Sequence, residues 1–183
     1  MHPRLRMALD HVDHSRLELL AALDTVPVEH QAVRPAPDSW SAAEVLEHLA
    51  RVERGLVKLA EMKLAEFRAM SPVPAEATEL PAFDLAKFTL VEARTTRLDA
   101  PERVCPTGTM SAPEGRTAIL EVRRAFLEQL SSGDGLPLSQ VVHPHPFLGP
   151  LDLYEWVYLI GSHEVRHARQ LREIAAHFAT AVS

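Results

Sequence analysis

The stretch LDLYEWVYLIGSHEVRH, residues 151–167, decides the fold that this sequence predicts. Asp152 and Glu155 have the spacing of a capping box, which marks the beginning of a helix, and we expect this helix to run to about Ala179. One apolar stripe on it leads up to His163 and consists of Trp156, Leu159 and Ile160. An amphipathic helix cannot bury its stripe alone, so the pattern predicts a bundle of helices.

Three other segments have the apolar spacing of long amphipathic helices, namely residues 3–23, 42–70 and 116–130. Ser41 and Glu44 repeat the capping-box spacing before the second of them. We assign a further short helix to residues 80–98. Long proline-rich connections separate the helices, and no alternating apolar and polar run is long enough to require a sheet. The sequence therefore predicts an all-α fold, with one four-helix-bundle domain over residues 1–183 whose connections exceed those of a simple up-and-down bundle.

Composition excludes several classes of protein. The chain has 19 Lys and Arg against 25 Asp and Glu, for a net charge of -6, so nothing favours binding to nucleic acid or to an anionic membrane. A single cysteine, Cys105, excludes an intramolecular disulfide and a cysteine-based zinc cluster. Charged residues interrupt the N-terminal segment, and no apolar run is long enough to span a bilayer. We therefore expect a cytoplasmic protein.

His163 and His167 are the strongest chemical signal in the sequence. Histidines four residues apart on a helix differ by about 40° in direction and about 6 Å in rise, so both imidazoles can reach one ion. They continue the apolar stripe that precedes them, which predicts that they face the core. Two buried imidazoles need specific polar partners, and a metal ion is a good one.

Two known metal motifs overlap this segment. Residues 163–167 match H-E-x-x-H, in which Glu164 would be the general base of a zinc protease. Such a protease needs a third ligand further along the chain and an edge strand beside the site. Glu173 lies on the same helix, too close to be that ligand, and no edge strand is predicted. Residues 164–167 also match the Glu-x-x-His motif of di-iron bundles, which needs a second copy. Valine and isoleucine stand where the second glutamate would be, so the di-iron interpretation fails.

We expect the third ligand to be His48, two turns into the second long helix. On the same face, Gly55 would allow another helix to approach closely. Three neutral imidazoles leave coordination positions for water or substrate, as is typical of catalytic rather than structural zinc sites. A structural site would close with a fourth protein ligand, such as His145 or a carboxylate. We assign His145 to the loop before the last helix and not to the ligands.

The segments 38–49, 145–156 and 163–170 together resemble the DinB-like, damage-inducible superfamily. The resemblance implies a four-helix bundle that holds a divalent metal, with His48, His163 and His167 at the ligand positions of the two motifs. Family members of known activity are mostly transferases or isomerases that use glutathione, mycothiol or bacillithiol, and dimers are common. The resemblance thus implies a homodimer whose substrates are a low-molecular-weight thiol and a small electrophile.

The leading hypothesis is a metal-dependent transferase that adds such a thiol to an electrophile, with zinc, nickel or iron as the metal. The alternatives are a metal-dependent hydrolase that uses metal-bound hydroxide and a non-enzymatic metal-binding stress-response protein. Beyond the three ligands, Arg166 or Arg169 could pair with a cofactor carboxylate. Gln170, one turn past His167, is a candidate to orient that ligand. No catalytic residue is assigned outside the metal centre.

Overall fold

The computed structural model describes residues 1–95 and 99–180. Its five helices are α1 (Pro3–Leu23), α2 (Ala42–Ala69), α3 (Leu85–Glu92), α4 (Ala112–Ser132) and α5 (Leu153–Thr180). Two short strands, β1 (His143–His145) and β2 (Gly149–Leu151), form an antiparallel hairpin. The predicted all-α class is confirmed, and none of the described helices is long and apolar enough to cross a membrane.

Capping boxes fix where α2 and α5 begin. The Ser41 amide donates to the Glu44 carboxylate at 2.8 Å, and the Glu44 amide donates back to Ser41 Oγ. Asp152 and Glu155 exchange the same pair of hydrogen bonds before α5. The predicted boundaries of α2 and α5 therefore agree with the structure to within two residues. Those of α1 also agree, although its N-cap is the side chain of His2, which accepts from the Arg4 amide.

Three details of the predicted secondary structure were wrong. The short helix assigned to residues 80–98 spans only Leu85–Glu92, and residues 96–98 of that assignment lie outside the described residues. Helix α4 begins at Ala112 rather than Arg116, because Ser111 and Glu114 form a third capping box. Pro113 fits the first turn, where its missing N–H costs no hydrogen bond. The proline-rich loop before α5 holds the β1–β2 hairpin, and Gly149 adopts there the left-handed backbone that favours glycine.

The order of the helices explains the long connections. Helix α1 packs along α5, α2 packs along α4, and α3 lies on α5. One apolar cluster contains the N-terminal halves of α1 and α5 with the C-terminal halves of α2 and α4, and a second cluster contains the opposite halves. Helices α2 and α4 therefore run parallel. The connection between them, residues 70–111, has to lead from one end of the bundle back to the other.

A layer of four buried charges lies between the two apolar clusters. Each long helix contributes one residue: Arg16 from α1, Glu53 from α2, Arg123 from α4 and Glu164 from α5, all at most 5% exposed. Arg16 donates to both carboxylates, and so does Arg123, at 2.5 Å to Glu53 and 3.0 Å to Glu164. The two arginines also donate to the backbone carbonyls of Ile119 and Val12. The layer is neutral as a whole, and it fixes the register of the four helices.

We expect Arg123→Met to lower the free energy of unfolding by about 3–5 kcal/mol, because it leaves two buried carboxylates with one arginine. Arg124→Met, an exposed neighbour on the same helix, is the control and should change it by less than about 0.5 kcal/mol. Chemical denaturation of both variants measures the difference. Equal effects of the two substitutions would show that the charge layer contributes nothing to stability.

Candidate metal centre

The three predicted ligand histidines meet at the middle of the bundle. His48 comes from α2, and His163 and His167 come from successive turns of α5. Nε2 of His163 lies 3.3 Å from Nε2 of His48 and 3.0 Å from Nε2 of His167. His48 and His167 are only 4% and 5% exposed. Tertiary packing therefore brings together the residues that the sequence separates by 115 positions.

The tautomer of His48 follows from its other ring nitrogen. Nδ1 lies 2.8 Å from the carbonyl oxygen of Val104, in the loop before α4. A carbonyl only accepts hydrogen bonds, so Nδ1 carries the proton. In the neutral ring Nε2 then has a lone pair, which is directed at the other two histidines.

The same reasoning fixes His167. Its Nδ1 lies 2.8 Å from Oε1 of Gln170, which also receives a hydrogen bond from Nη1 of Arg94 at 3.2 Å. Arginine only donates, so this atom of Gln170 is the amide oxygen and not the nitrogen. His167 therefore donates through Nδ1 and keeps a lone pair on Nε2.

His163 thus lies between two nitrogen lone pairs. Its Nε2 carries at most one proton and cannot form a strong linear hydrogen bond to both neighbours. Two nitrogens bound to one metal at 2.0–2.1 Å are about 2.8–3.4 Å apart, from octahedral to tetrahedral angles. Both observed separations lie in that range. The donor set fits a divalent metal ion better than it fits a hydrogen-bonded trio.

The ionisation of the three rings agrees with metal binding. Burial lowers the pKa of His48. Burial, reinforced by the neighbouring histidines, lowers the pKa of His163 and of His167 well below the ordinary value. Neutral imidazole is the form that ligates metals, so the folded chain holds these residues ready for an ion at neutral pH.

No fourth protein ligand joins the cluster within residues 1–95 and 99–180. The fourth-ligand candidate His145 serves its own hairpin, where its Nδ1 accepts hydrogen bonds from the amides of Phe147 and Leu148 at 3.3 and 3.2 Å. Three protein ligands with a further coordination position is the arrangement of catalytic rather than structural zinc sites.

Glu164 does not face the histidines. Its carboxylate is 1% exposed and accepts hydrogen bonds from Arg16 and Arg123 in the charge layer. Around the axis of α5, Glu164 lies about 100° from His163 and about 60° from His167, and its carboxylate is taken up by the two arginines. The H-E-x-x-H motif therefore supplies two candidate ligands here without the general base of a zinc protease.

Arg166, Arg169 and Gln170 have separate places. The first two donate to the carbonyl oxygens of Val91 and Glu92, at the C-terminal end of α3, so they hold that helix against α5. Basic side chains at a helix C-terminus are favourable there because they meet unpaired carbonyls and the negative end of the dipole. Gln170 contacts His167, as described above.

Sequence reasoning missed Glu47, the residue before His48. Its Oε1 accepts from the Thr107 amide at 2.9 Å and from the Thr107 hydroxyl at 2.7 Å, and its Oε2 accepts from the Gly108 amide at 3.0 Å. Desolvation opposes its ionisation, yet these hydrogen bonds hold the pKa of Glu47 below its ordinary value. The buried carboxylate thereby fixes the loop whose Val104 carbonyl orients His48.

Substitution of Glu47 by alanine should weaken the binding of a divalent metal about tenfold, since partners that orient a ligand contribute that much. The exposed Glu61 on the same helix provides the control, and Glu61→Ala should leave affinity unchanged. Competition with a chromophoric chelator gives both constants. An unaltered constant for Glu47→Ala would mean that the loop does not position His48.

The chain is similar to known proteins over most of its length. A protein named YuaE from Bacillus subtilis (strain 168), described as uncharacterized, is 25% identical over 163 residues, which cover 88% of this chain and 93% of the relative. No solved structure matches the chain. The family model of the DinB superfamily matches residues 11–171, which include all three histidines, and the chain therefore belongs to the DinB superfamily.

Proposed function

We propose that this protein binds a divalent metal through His48, His163 and His167 and transfers a low-molecular-weight thiol to an electrophilic substrate. The thiol would be of the glutathione, mycothiol or bacillithiol type. The observation that carries the proposal is the convergence of the three Nε2 atoms with no fourth protein ligand among the described residues. Membership of the DinB superfamily supports it.

A bound divalent metal with a free position supplies charge that favours the thiolate form of a thiol. The side chains of this chain hold and orient that charge: Val104 and Gln170 fix two ligand rings, and burial keeps the rings neutral. Trp40 covers the site from one side, with its ring centroid 4.8 Å from that of His48. In the overall reaction a sulfur–carbon bond forms, the bond to the leaving group breaks, and the thiol proton passes to solvent.

The two alternatives make different use of the same site. A metal-dependent hydrolase would cleave its substrate with water and would need no thiol. A metal-binding stress-response protein would hold the ion without turnover. The open position favours an enzyme, because structural zinc sites close with a fourth protein ligand. Three imidazoles suit zinc, nickel or iron, so the identity of the metal depends on geometry and supply.

We further propose a cytoplasmic homodimer, as the superfamily resemblance implies. Low-molecular-weight thiols are kept reduced in the cytoplasm, where such a transferase would find its cosubstrate. Light scattering of the purified protein distinguishes a dimer from a monomer of 20.3 kDa.

The metal centre is tested by elemental analysis of the purified protein. His48→Ala and His163→Ala should each lose most of the bound metal, because two imidazoles hold a divalent ion much more weakly than three. His177→Ala removes an exposed histidine near the end of α5 and should retain the full content. Undiminished metal in the first two variants would refute the assignment.

The transferase activity is tested with the metal-loaded protein and a chloro-dinitrobenzene electrophile. Glutathione, mycothiol and bacillithiol are supplied separately. We expect at least one of them to react faster in the presence of the wild-type protein than in the presence of His163→Ala. An ester substrate without thiol tests the hydrolase. If all three thiols react equally with wild type and variant, the transferase proposal fails, and ester cleavage would then favour the hydrolase.

A further inference from the structure

We propose that Arg94 is a positioning residue of the candidate metal centre, which acts through Gln170 to fix the metal-binding tautomer of His167. The inference rests on the metal-binding part of the proposed function and is independent of the reaction. The sequence contains no sign of it, because Arg94 lies 73 positions from His167 in a connection without a motif.

The backbone of Arg94 is the first observation. Its φ is 50°, in the left-handed region, directly after Ala93 at the C-terminal cap of α3. Glycine, sometimes asparagine, is the usual residue at this position because a Cβ is disfavoured there. An arginine in this conformation indicates that its side chain contributes something that glycine could not.

That side chain connects two residues of α5. Nε and Nη2 of Arg94 donate to the carboxylate of Glu173 at 3.2 and 2.9 Å, while Nη1 donates to Oε1 of Gln170 at 3.2 Å. The Glu173 side chain is 60% exposed, so the ion pair adds little to stability. It instead holds the planar guanidinium so that one N–H group points at Gln170.

The end of α3 that carries Arg94 is itself fixed to α5. Arg166 and Arg169, which flank His167 on α5, donate to the last carbonyl oxygens of α3 at Val91 and Glu92. The guanidinium of Arg94 is therefore presented from an anchored helix end, next to the turn of α5 that bears the ligand.

The orientation of the Gln170 amide determines the tautomer of His167. With its oxygen toward the ring, the amide accepts the Nδ1 proton and leaves the Nε2 lone pair for metal. After a flip, the NH₂ group would face Nδ1 and favour the opposite tautomer, with the proton on Nε2. Arg94 opposes that flip, because its N–H group would then meet an NH₂ group.

A double-mutant cycle tests this relay with Zn²⁺ as the probe and chelator competition as the measurement. Arg94→Gly should weaken Zn²⁺ binding about tenfold. The unfolding temperature of the metal-free variant should stay the same or rise, because glycine suits the backbone. In a Gln170→Leu background, Arg94→Gly should cause no further loss.

Gln170→Glu provides a rescue that a purely structural role of Arg94 would not show. Both carboxylate oxygens accept hydrogen bonds, so no flip can reverse the polarity, and Arg94→Gly should then cost little or no Zn²⁺ affinity. Arg172→Ala is the matched control. Arg172 lies on α5, as Gln170 does, and its substitution removes an exposed ion pair with Glu18, so Zn²⁺ binding should stay unchanged.

Equal losses from Arg94→Gly in the wild-type, Gln170→Leu and Gln170→Glu backgrounds would overturn the relay, and so would an unchanged affinity of the single variant. If the wild-type chain binds neither Zn²⁺ nor nickel nor iron, the metal-centre assignment is wrong, and so is the proposed role of Arg94. If the cycle behaves as expected and no thiol reacts, the transferase proposal alone fails.

Discussion

The buried layer formed by Arg16, Glu53, Arg123 and Glu164 is the constraint on which the arrangement of the bundle depends. Apolar stripes tolerate small shifts of one helix along another, whereas an unpaired buried charge costs several kcal/mol. The layer therefore specifies one register of α1, α2, α4 and α5. Glu164 adjoins His163, so the register that pairs this carboxylate with Arg16 and Arg123 also sets the two histidines of α5 opposite His48 of α2.

Around the three histidines, distant segments of chain determine the chemistry. The ring of His48 is oriented by a carbonyl from the loop before α4, which Glu47 holds in place. The ring of His167 is oriented by Gln170, which Arg94 contacts from the end of α3. Two segments of the connection 70–111 therefore do more than join helices. One contacts the second ring nitrogen of His48 directly, and the other reaches that of His167 through Gln170.

Local signals predicted most of the fold. The hydrogen bonds of a capping box form within the first turn of a helix and need no distant partner. The boundaries marked by Ser41 with Glu44 and by Asp152 with Glu155 were therefore confirmed. The beginning of α4 was misplaced because Pro113 was assigned to a proline-rich connection, although a proline is compatible with the first turn of a helix. The β1–β2 hairpin was missed because three-residue strands are too short for an alternating pattern.

The sequence by itself determined the helices and the pairing of His163 with His167 on one face, because these follow from spacing along the chain. It also determined membership of the DinB superfamily, through the match of residues 11–171 to the family. Only the tertiary structure decided that Glu164 faces two arginines, that Arg94 contacts Gln170 beside His167, and that Glu47 binds the loop that contacts His48. Those contacts join residues dozens of positions apart, and their partners depend on how the helices pack. A motif specifies which side chains share a helix face, but the packing of the other helices determines what that face meets.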